Sequence, residues 1–357
     1  MPQLLVNRGD LRNARVAEPE DEPQIDAGQA LLRVEAFGMT SNNVTYAVMG
    51  EAMSYWDFFS PPGEWGVLPV WGFAEVERSE VGGVEAGARL YGYLPASSHL
   101  VVTPAAAGPR GFVDASPHRR ALPSAYHRYL VTEGDIFHTP ESEGIQMLLR
   151  PLFFTSFLID DQLADDGLTA RGAVLISSAS SKTAISAAFL LARREGVEVV
   201  GLTSAANVEF VRGLGIYATV LSYDEIASLP REAATLVDIA GDDELRSAVH
   251  AHLEEELLYS MAVGVTHWED FRSLEGEALP GPAPKFFFAP IRVTKRSADW
   301  GPAGLERRVA DAWRPFCEWT TGWLEEIPGQ GLDAALAAYL EVLDGRVPPE
   351  RAHVLSV

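Results

Sequence analysis

Two hydrophobic rhythms divide the chain. Over roughly the first 135 residues, apolar side chains come in short runs (LLRVEAFGM, GVLPVWGFAEVERSEV, ARLYGYLP, HLVVTP) cut by Gly and Pro, a pattern that predicts a compact all-β unit. Residues 41–49, SNNVTYAVM, are polar and aromatic and predict one or two helical turns. From about Ser142 the spacing becomes helical, with Leu148, Leu152, Thr155, Leu158 and Leu163 near one face. Strand and helix patterns then alternate. Strands are expected at 174–176, 197–202, 219–221, 236–239 and 260–265, and helices at 185–194 and 208–213. This alternation predicts a parallel sheet with right-handed crossovers. The segment EGEALPGPAPK reads as a loop and FFFAPI as an apolar strand. The chain ends in helix, first over 305–323 with a Trp/Phe stripe, then LDAALAAYLEVLDG with a stop at Gly345.

At 357 residues the chain is long enough for two domains with large cores. A net charge of −22, spread without an acidic tail, argues against nucleic acid and anionic membrane surfaces as partners and reads as solubility. Cys317 is the single cysteine, so no internal disulfide and no thiolate zinc cluster can form. Its Trp-rich helix predicts a buried, inert thiol. The N-terminus MPQLLVNRGDLRNARV lacks a signal-peptide pattern, and no apolar run approaches the ~18 residues of a membrane span; a cytoplasmic protein is expected.

Several segments together carry a resemblance: VEAFGMTSNN, GAVLISSASSKTAISAAFLLA, VVGLTSAANVEFVRGLGIYATVLSY, LVDIAG and the ending AALAAYLEVLDGRVPPE. In this order and spacing the chain resembles the zinc-free medium-chain dehydrogenases/reductases, the quinone and enoyl reductases. SNNVTYAVMG, YWDFF, VWGFAEV and VGVTHWE look like an uncharacterised branch of that superfamily. The resemblance implies an α/β protein. A β-rich, GroES-like substrate domain would span 1–140 and a Rossmann-type parallel-sheet nucleotide domain 141–289, with 290–357 returning to the first domain. It also implies a homodimer, the common state of such reductases.

The nucleotide loop is VLISSASSKTA. The superfamily's A-x-x-G-x-x-G/A pattern falls on Ser178, Ser181 and Ala184, so serine replaces the glycine that lets a pyrophosphate approach the backbone. Ser178, Ser180, Ser181, Lys182 and Thr183 still bring hydroxyls, a cation and amides to a helix N-terminus, which suits a polyanion. The other reading is a Ser/Thr cap on an ordinary crossover helix. At the end of the second strand, Thr203, Ser204 and Asn207 precede the first acid, Glu209. NAD-binding folds place a carboxylate there for the ribose, so its absence favours NADP(H). Tyr223 either borders the adenosine phosphate or is a strand-end aromatic. Thr266 and His267, ending a late strand, are candidates near the nicotinamide, and Thr155, Ser156 and Asp160 near its ribose.

Zinc-dependent members carry a Cys and a His–Glu pair where this chain has Thr40 and then Trp71 and Gly72, so no metal is expected. His250 and His252 read as an exposed polar helix face. Without metal, hydrogen-bond donors must stabilise a developing oxyanion. Asn42, Asn43, Thr45 and Tyr46 lie on a segment that lines the cleft in zinc-free relatives, and Tyr55 follows near the position of an enoyl-reductase tyrosine. Tyr46 or Tyr55 is the expected proton donor; His99, Tyr126, His127 and Tyr129 are secondary candidates. The expected function is NADPH-dependent reduction of a polarised double bond in a small molecule: a quinone or an α,β-unsaturated carbonyl or thioester. A non-catalytic binding or scaffold protein, or a lyase or isomerase on the same fold, is the alternative.

Overall fold

The computed structural model describes residues 1–18, 23–59, 63–263 and 279–357. Thr266 and His267, and the first part of the loop at 275–285, lie outside the described residues. The chain forms two units, Met1–Leu148 with Leu324–Val357, and Leu149–Trp323.

The first unit is built on a nine-stranded mixed sheet. Its central strand, Ala30–Met39, pairs antiparallel with Pro69–Ser79, His99–Val102 and the chain's last strand, Arg351–Ser356. Pro69–Ser79 pairs onward with Arg89–Pro95, setting Trp71 opposite Tyr93 and Phe73 opposite Tyr91. The inward side chains of these strands are fully buried (Leu32, Phe37, Val70, Leu94) and form a core to which the C-terminal helix Gly331–Leu343 adds Ala335, Ala338 and Tyr339. Gly345, in the left-handed region at φ 66°, ends the run as its position suggests.

The second unit holds a six-stranded, all-parallel sheet. Its order is Thr219–Ser222, Val199–Thr203, Ala173–Ile176, Ala234–Asp238, Leu257–Ala262 and Lys285–Phe286. Val199–Thr203 and Ala234–Asp238 are buried at every residue, as strands covered on both faces must be. The strand earliest in sequence, Ala173–Ile176, lies inside the sheet with later strands on both sides. Strand order reverses there, and the crevice outside the carboxyl ends at such a point is where ligands bind in open α/β sheets.

Four sequence expectations change. FFFAPI is not a strand: after Lys285–Phe286 the chain turns into the helix Ala289–Trp300, because Pro290 cannot donate to a ladder yet suits a first helical turn. The region 290–323, expected with the C-terminal return, belongs to the second unit. Arg292 and Arg296 hold the Asp161 and Asp165 carboxylates of the helix Glu143–Asp165, and Phe316 of the helix Pro302–Thr320 packs on Phe153 and Phe189. The return begins only at Leu324. His250 is not exposed: it is wholly buried, with Nδ1 against the Pro280 carbonyl (2.8 Å) and Nε2 against Ser260 Oγ (3.0 Å). Cys317 is half-buried rather than buried, its thiol pushed up to about 12 by desolvation and then by Glu318. No helix among the described residues is long and apolar enough to cross a membrane.

Candidate functional site

Two clusters of chemistry-bearing side chains form, one within each unit. In the second unit, the strand Ala173–Ile176 runs out into Ser177. Its Oγ donates to Asp238 Oδ1 (2.8 Å) and accepts from the Ile239 and Ala240 amides (2.8 and 2.9 Å). Asp238 is held in turn by Arg246 (3.0 Å) and the Gly241 amide (3.1 Å). This buried network ties the loop after the first strand to the loop after Ala234–Asp238. Ser178 sits in the left-handed region at φ 51°, which costs a non-glycine residue roughly 1–2 kcal/mol, and its N–H donates to the Tyr223 hydroxyl (3.2 Å). Tyr223 is therefore part of the loop.

Ala179 then sinks out of solvent against the neighbouring strand. A Cβ on Gly201 would stand 3.0 Å from Ala179 Cβ and 2.9 Å from Tyr217 Cδ1, while the Tyr217 hydroxyl donates to the Ala179 carbonyl (2.9 Å). A glycine absent from the loop is thus matched by one on the strand it packs against. Ser180 Oγ accepts from Asn207 Nδ2 (3.0 Å) and Thr203 Oγ1 (3.4 Å). Ser181 caps the helix Lys182–Leu191, its Oγ accepting from the Ala184 amide (3.3 Å), so that helix begins before 185. Lys182 opens that helix, and the Thr183 carbonyl accepts from Ser156 Oγ (2.8 Å). Ser204 leads into the turn Ala205–Asn207, its carbonyl accepting from the Asn207 amide (2.9 Å).

Four of the acids around these strand ends are engaged. Glu209 pairs with Arg212 (2.9 Å), Glu225 accepts from Ser222 N–H and Oγ, Asp238 pairs with Arg246, and Asp242 caps Leu245. Hydroxyls, an amide side chain and the positive end of a helix that opens with Lys182 therefore converge at the switch point, where several carboxylates are occupied. That donor set fits a phosphate-bearing nucleotide. Asp160 does not join it, because Arg194 grips both its oxygens (2.6 and 2.7 Å).

In the first unit, the short helix Ser41–Val48 is fixed by a capping box. Thr40 N–H donates to Asn43 Oδ1 (2.8 Å), Thr40 Oγ1 accepts from the Asn42 amide (3.2 Å), and Asn43 Nδ2 donates to the Pro69 carbonyl (3.0 Å). Both ends of the Asn43 side chain are thus spent on structure. That corrects its reading as a site residue: it ties the helix to the strand Pro69–Ser79. Thr45 Oγ1 likewise donates back to the Ser41 carbonyl (3.2 Å). Asn42 and Tyr46, four residues apart, share a helix face.

The Tyr46 hydroxyl accepts from Trp71 Nε1 (2.9 Å), and Asn42 stands one helical turn before it. Around it lie the rings of Tyr55 (4.7 Å between centroids), Tyr93 (5.4 Å) and Tyr126 (6.4 Å), with the Tyr55 and Tyr126 hydroxyls 3.4 Å apart. The Tyr93 hydroxyl is buried without a hydrogen-bond partner. Desolvation raises the pKa of Tyr46, with Tyr55 adding to it and the bonds from Trp71 and Asn42 opposing it. Desolvation also raises Tyr55, Tyr93 and Tyr126. The nest is a group of neutral phenols in apolar walls, able to donate to a carbonyl oxygen.

Both candidate tyrosines are therefore in one place. Sequence reasoning missed Tyr93 and Trp71, and held Tyr126 only as a secondary candidate. An aromatic-rich run, ARLYGYLP, and the cross-strand pairing of Trp71 with Tyr93 were the available signals. Tyr129 and His127 serve the support. Buried Arg119 pairs with Asp114 (2.6 Å), bonds the Tyr129 hydroxyl (3.1 Å), and donates to the Phe58 carbonyl (2.7 Å), fixing the turn Trp56–Phe59 that follows Tyr55. His127 lies against Phe58, its pKa lowered by burial and then by Arg119. His99 pairs with Glu77 at 3.0 Å. Among the described residues, no three His, Cys, Asp or Glu side chains are grouped to hold a metal ion.

Solved structures share this fold over the whole chain. CurA from Vibrio vulnificus, in complex with NADPH, is 13% identical with a TM-score of 0.66, covering 100% of this chain and 99% of that one. The yhdH oxidoreductase from Salmonella enterica, in complex with NADP, is 16% identical with a TM-score of 0.57, and the quinone oxidoreductase from Thermus thermophilus, known with NADPH, is 16% identical with a TM-score of 0.55; both are covered at 100% of each chain. The fold is that of the quinone and enoyl reductases of the medium-chain dehydrogenase/reductase superfamily. No curated protein matches the sequence. The family model described as "Protein of unknown function (DUF2855)" matches residues 37–348, which take in the tyrosine nest and the serine loop alike, and the chain belongs to that family.

Proposed function

We propose that this chain is an NADPH-dependent, zinc-independent reductase of a polarised double bond, in a quinone or an α,β-unsaturated carbonyl or thioester. The observation that carries the reading is the Ser180–Thr203–Asn207 cluster at the sheet's switch point, with Glu209 and Asp238 nearby held by arginines. A 2′-phosphate there would meet hydroxyl and amide groups, with no acid in the cluster itself. Ser178, Ser181, Lys182 and Thr183 would hold the pyrophosphate, Ser180, Thr203 and Ser204 the 2′-phosphate, and Tyr223 the adenosine end. That fold neighbours were solved with NADPH or NADP supports the choice.

When bound, the reduced nicotinamide supplies a hydride. The chain's own contribution is a dry aromatic site for the conjugated substrate and a proton from Tyr46, with Tyr55 beside it as the other donor. Asn42 acts on Tyr46 rather than on the substrate. The test is a titration of the purified protein with NADPH and NADH, followed by reduced-nicotinamide fluorescence. NADPH is expected to bind more tightly. Equal or tighter NADH binding would overturn the cofactor choice, and no binding of either would leave a scaffold on a reductase fold.

A further inference from the structure

Trp71 stands on the strand Pro69–Ser79, opposite Gly38 on one neighbouring strand and Tyr93 on the other. Its ring stacks on Tyr91 (5.8 Å between centroids, 21° between planes), which fixes the direction of its N–H. Indole nitrogen can only donate. The Tyr46 oxygen, 2.9 Å away, must therefore accept. Asn42, one helical turn before it, also favours the ionised form, against burial. With the indole N–H donating to it, the Tyr46 hydroxyl is left to donate its own proton elsewhere. The bond from Trp71 strengthens as charge builds on the oxygen.

We propose that Trp71 is a positioning residue, whose indole N–H turns the Tyr46 hydroxyl into a one-way proton donor and stabilises the phenolate left behind. The inference rests on Tyr46 being the acid. In the step, the Tyr46 O–H bond breaks and its proton passes to the substrate. The substrate also gains a hydride from the reduced cofactor, and the phenolate regains a proton from water. Atoms and charge balance.

The test uses the full chain with NADPH and an enone or quinone. Trp71→Phe keeps a ring in the stack and removes the N–H. Loss of a hydrogen bond to a developing charge predicts a kcat lowered roughly 10- to 100-fold. KM and NADPH affinity should stay within about twofold, because the bond strengthens only as the proton leaves. Trp71→His returns an N–H and should recover part of the rate. In a Tyr46→Phe background, Trp71→Phe should cost nothing further. A readout independent of turnover is the 15N-indole resonance of Trp71, assigned by its absence in Trp71→Phe, which should move upfield in unloaded Tyr46→Phe as its acceptor vanishes.

The outcomes separate the two assignments. A fast Trp71→Phe beside a slow Tyr46→Phe overturns the positioning role and leaves Tyr46 as the acid. So do losses that multiply in the double variant, or an indole resonance indifferent to Tyr46→Phe. A wild-type rate in Tyr46→Phe removes the acid itself, and the inference falls with it.

Discussion

Asn42 and Asn43 are adjacent, identical in chemistry and opposite in fate. Asn43 spends its amide on the Thr40 N–H and the Pro69 carbonyl; Asn42 keeps its side chain on the Tyr46 side of the helix and favours that phenol's ionised form. Sequence shows which donors are present in SNNVTYAVM, but the carbonyl that claims Asn43 lies 26 positions away, and no local pattern reports it. Tyr46 was legible as a candidate because a helix sets it one turn beyond Asn42, whereas Trp71, its hydrogen-bond donor, stands out in the sequence only as the residue at a lost metal-ligand position. The resulting prediction is specific to one oxygen. Tyr46→Phe should slow reduction by roughly 10²–10⁴-fold, the usual cost of a lost general acid, and leave NADPH affinity unchanged. Burial raises this phenol, so it stays protonated through neutral pH, and wild-type kcat should show no limb from its ionisation between about pH 6 and 9. Tyr55→Phe is the comparison, since its ring also packs against Tyr46 and Tyr126. If Tyr55→Phe alone is slow, the acid is Tyr55.

Among the elements, the alternation of strand and helix from Val174 onward was readable because buried parallel strands are short, continuous apolar runs and crossover helices are longer and capped. What sequence did not reveal was how a loop without glycine closes against its sheet. The answer lies in the next strand, where Gly201 leaves room for Ala179 and Tyr217. Gly201→Ala would force a methyl to within 3.0 Å of both, on a strand buried along its length. Overpacking of that kind typically costs about 1–3 kcal/mol. Thermal unfolding should fall accordingly, and NADPH binding should weaken as well, because Ala179 lies between the strained Ser178 and the Ser180 cluster. A variant that melts early yet binds NADPH normally would separate the loop's packing from the cofactor site. The helices at Ala289–Trp300 and Pro302–Thr320 fall outside the expected first domain for a related reason. Their amphipathic pattern predicts a buried face without naming its partner, which ion pairs such as Arg292 with Asp165 decide.

At the scale of the whole molecule, a net charge of −22 surrounds a site proposed to take a polyanion. In the proposed site, hydroxyls, amides and a helix N-terminus would do most of the holding, with one lysine, Lys182, opening that helix. Two electrostatic contributions therefore oppose each other in their response to salt. Long-range repulsion between the acidic protein and the cofactor weakens as the screening length falls from roughly 14 Å at 0.05 M to about 4 Å at 0.5 M. Pairing of a phosphate with Lys182 weakens over the same range, but it is a single pair, and neutral hydrogen bonds respond little. NADPH affinity measured across that range at fixed pH should therefore hold within about threefold or improve, and NADH, with one phosphate fewer, should respond less. A tenfold loss of NADPH affinity at high salt would mean that several cations grip the phosphates, and the hydroxyl cluster around Ser180 would not be the group that selects the cofactor.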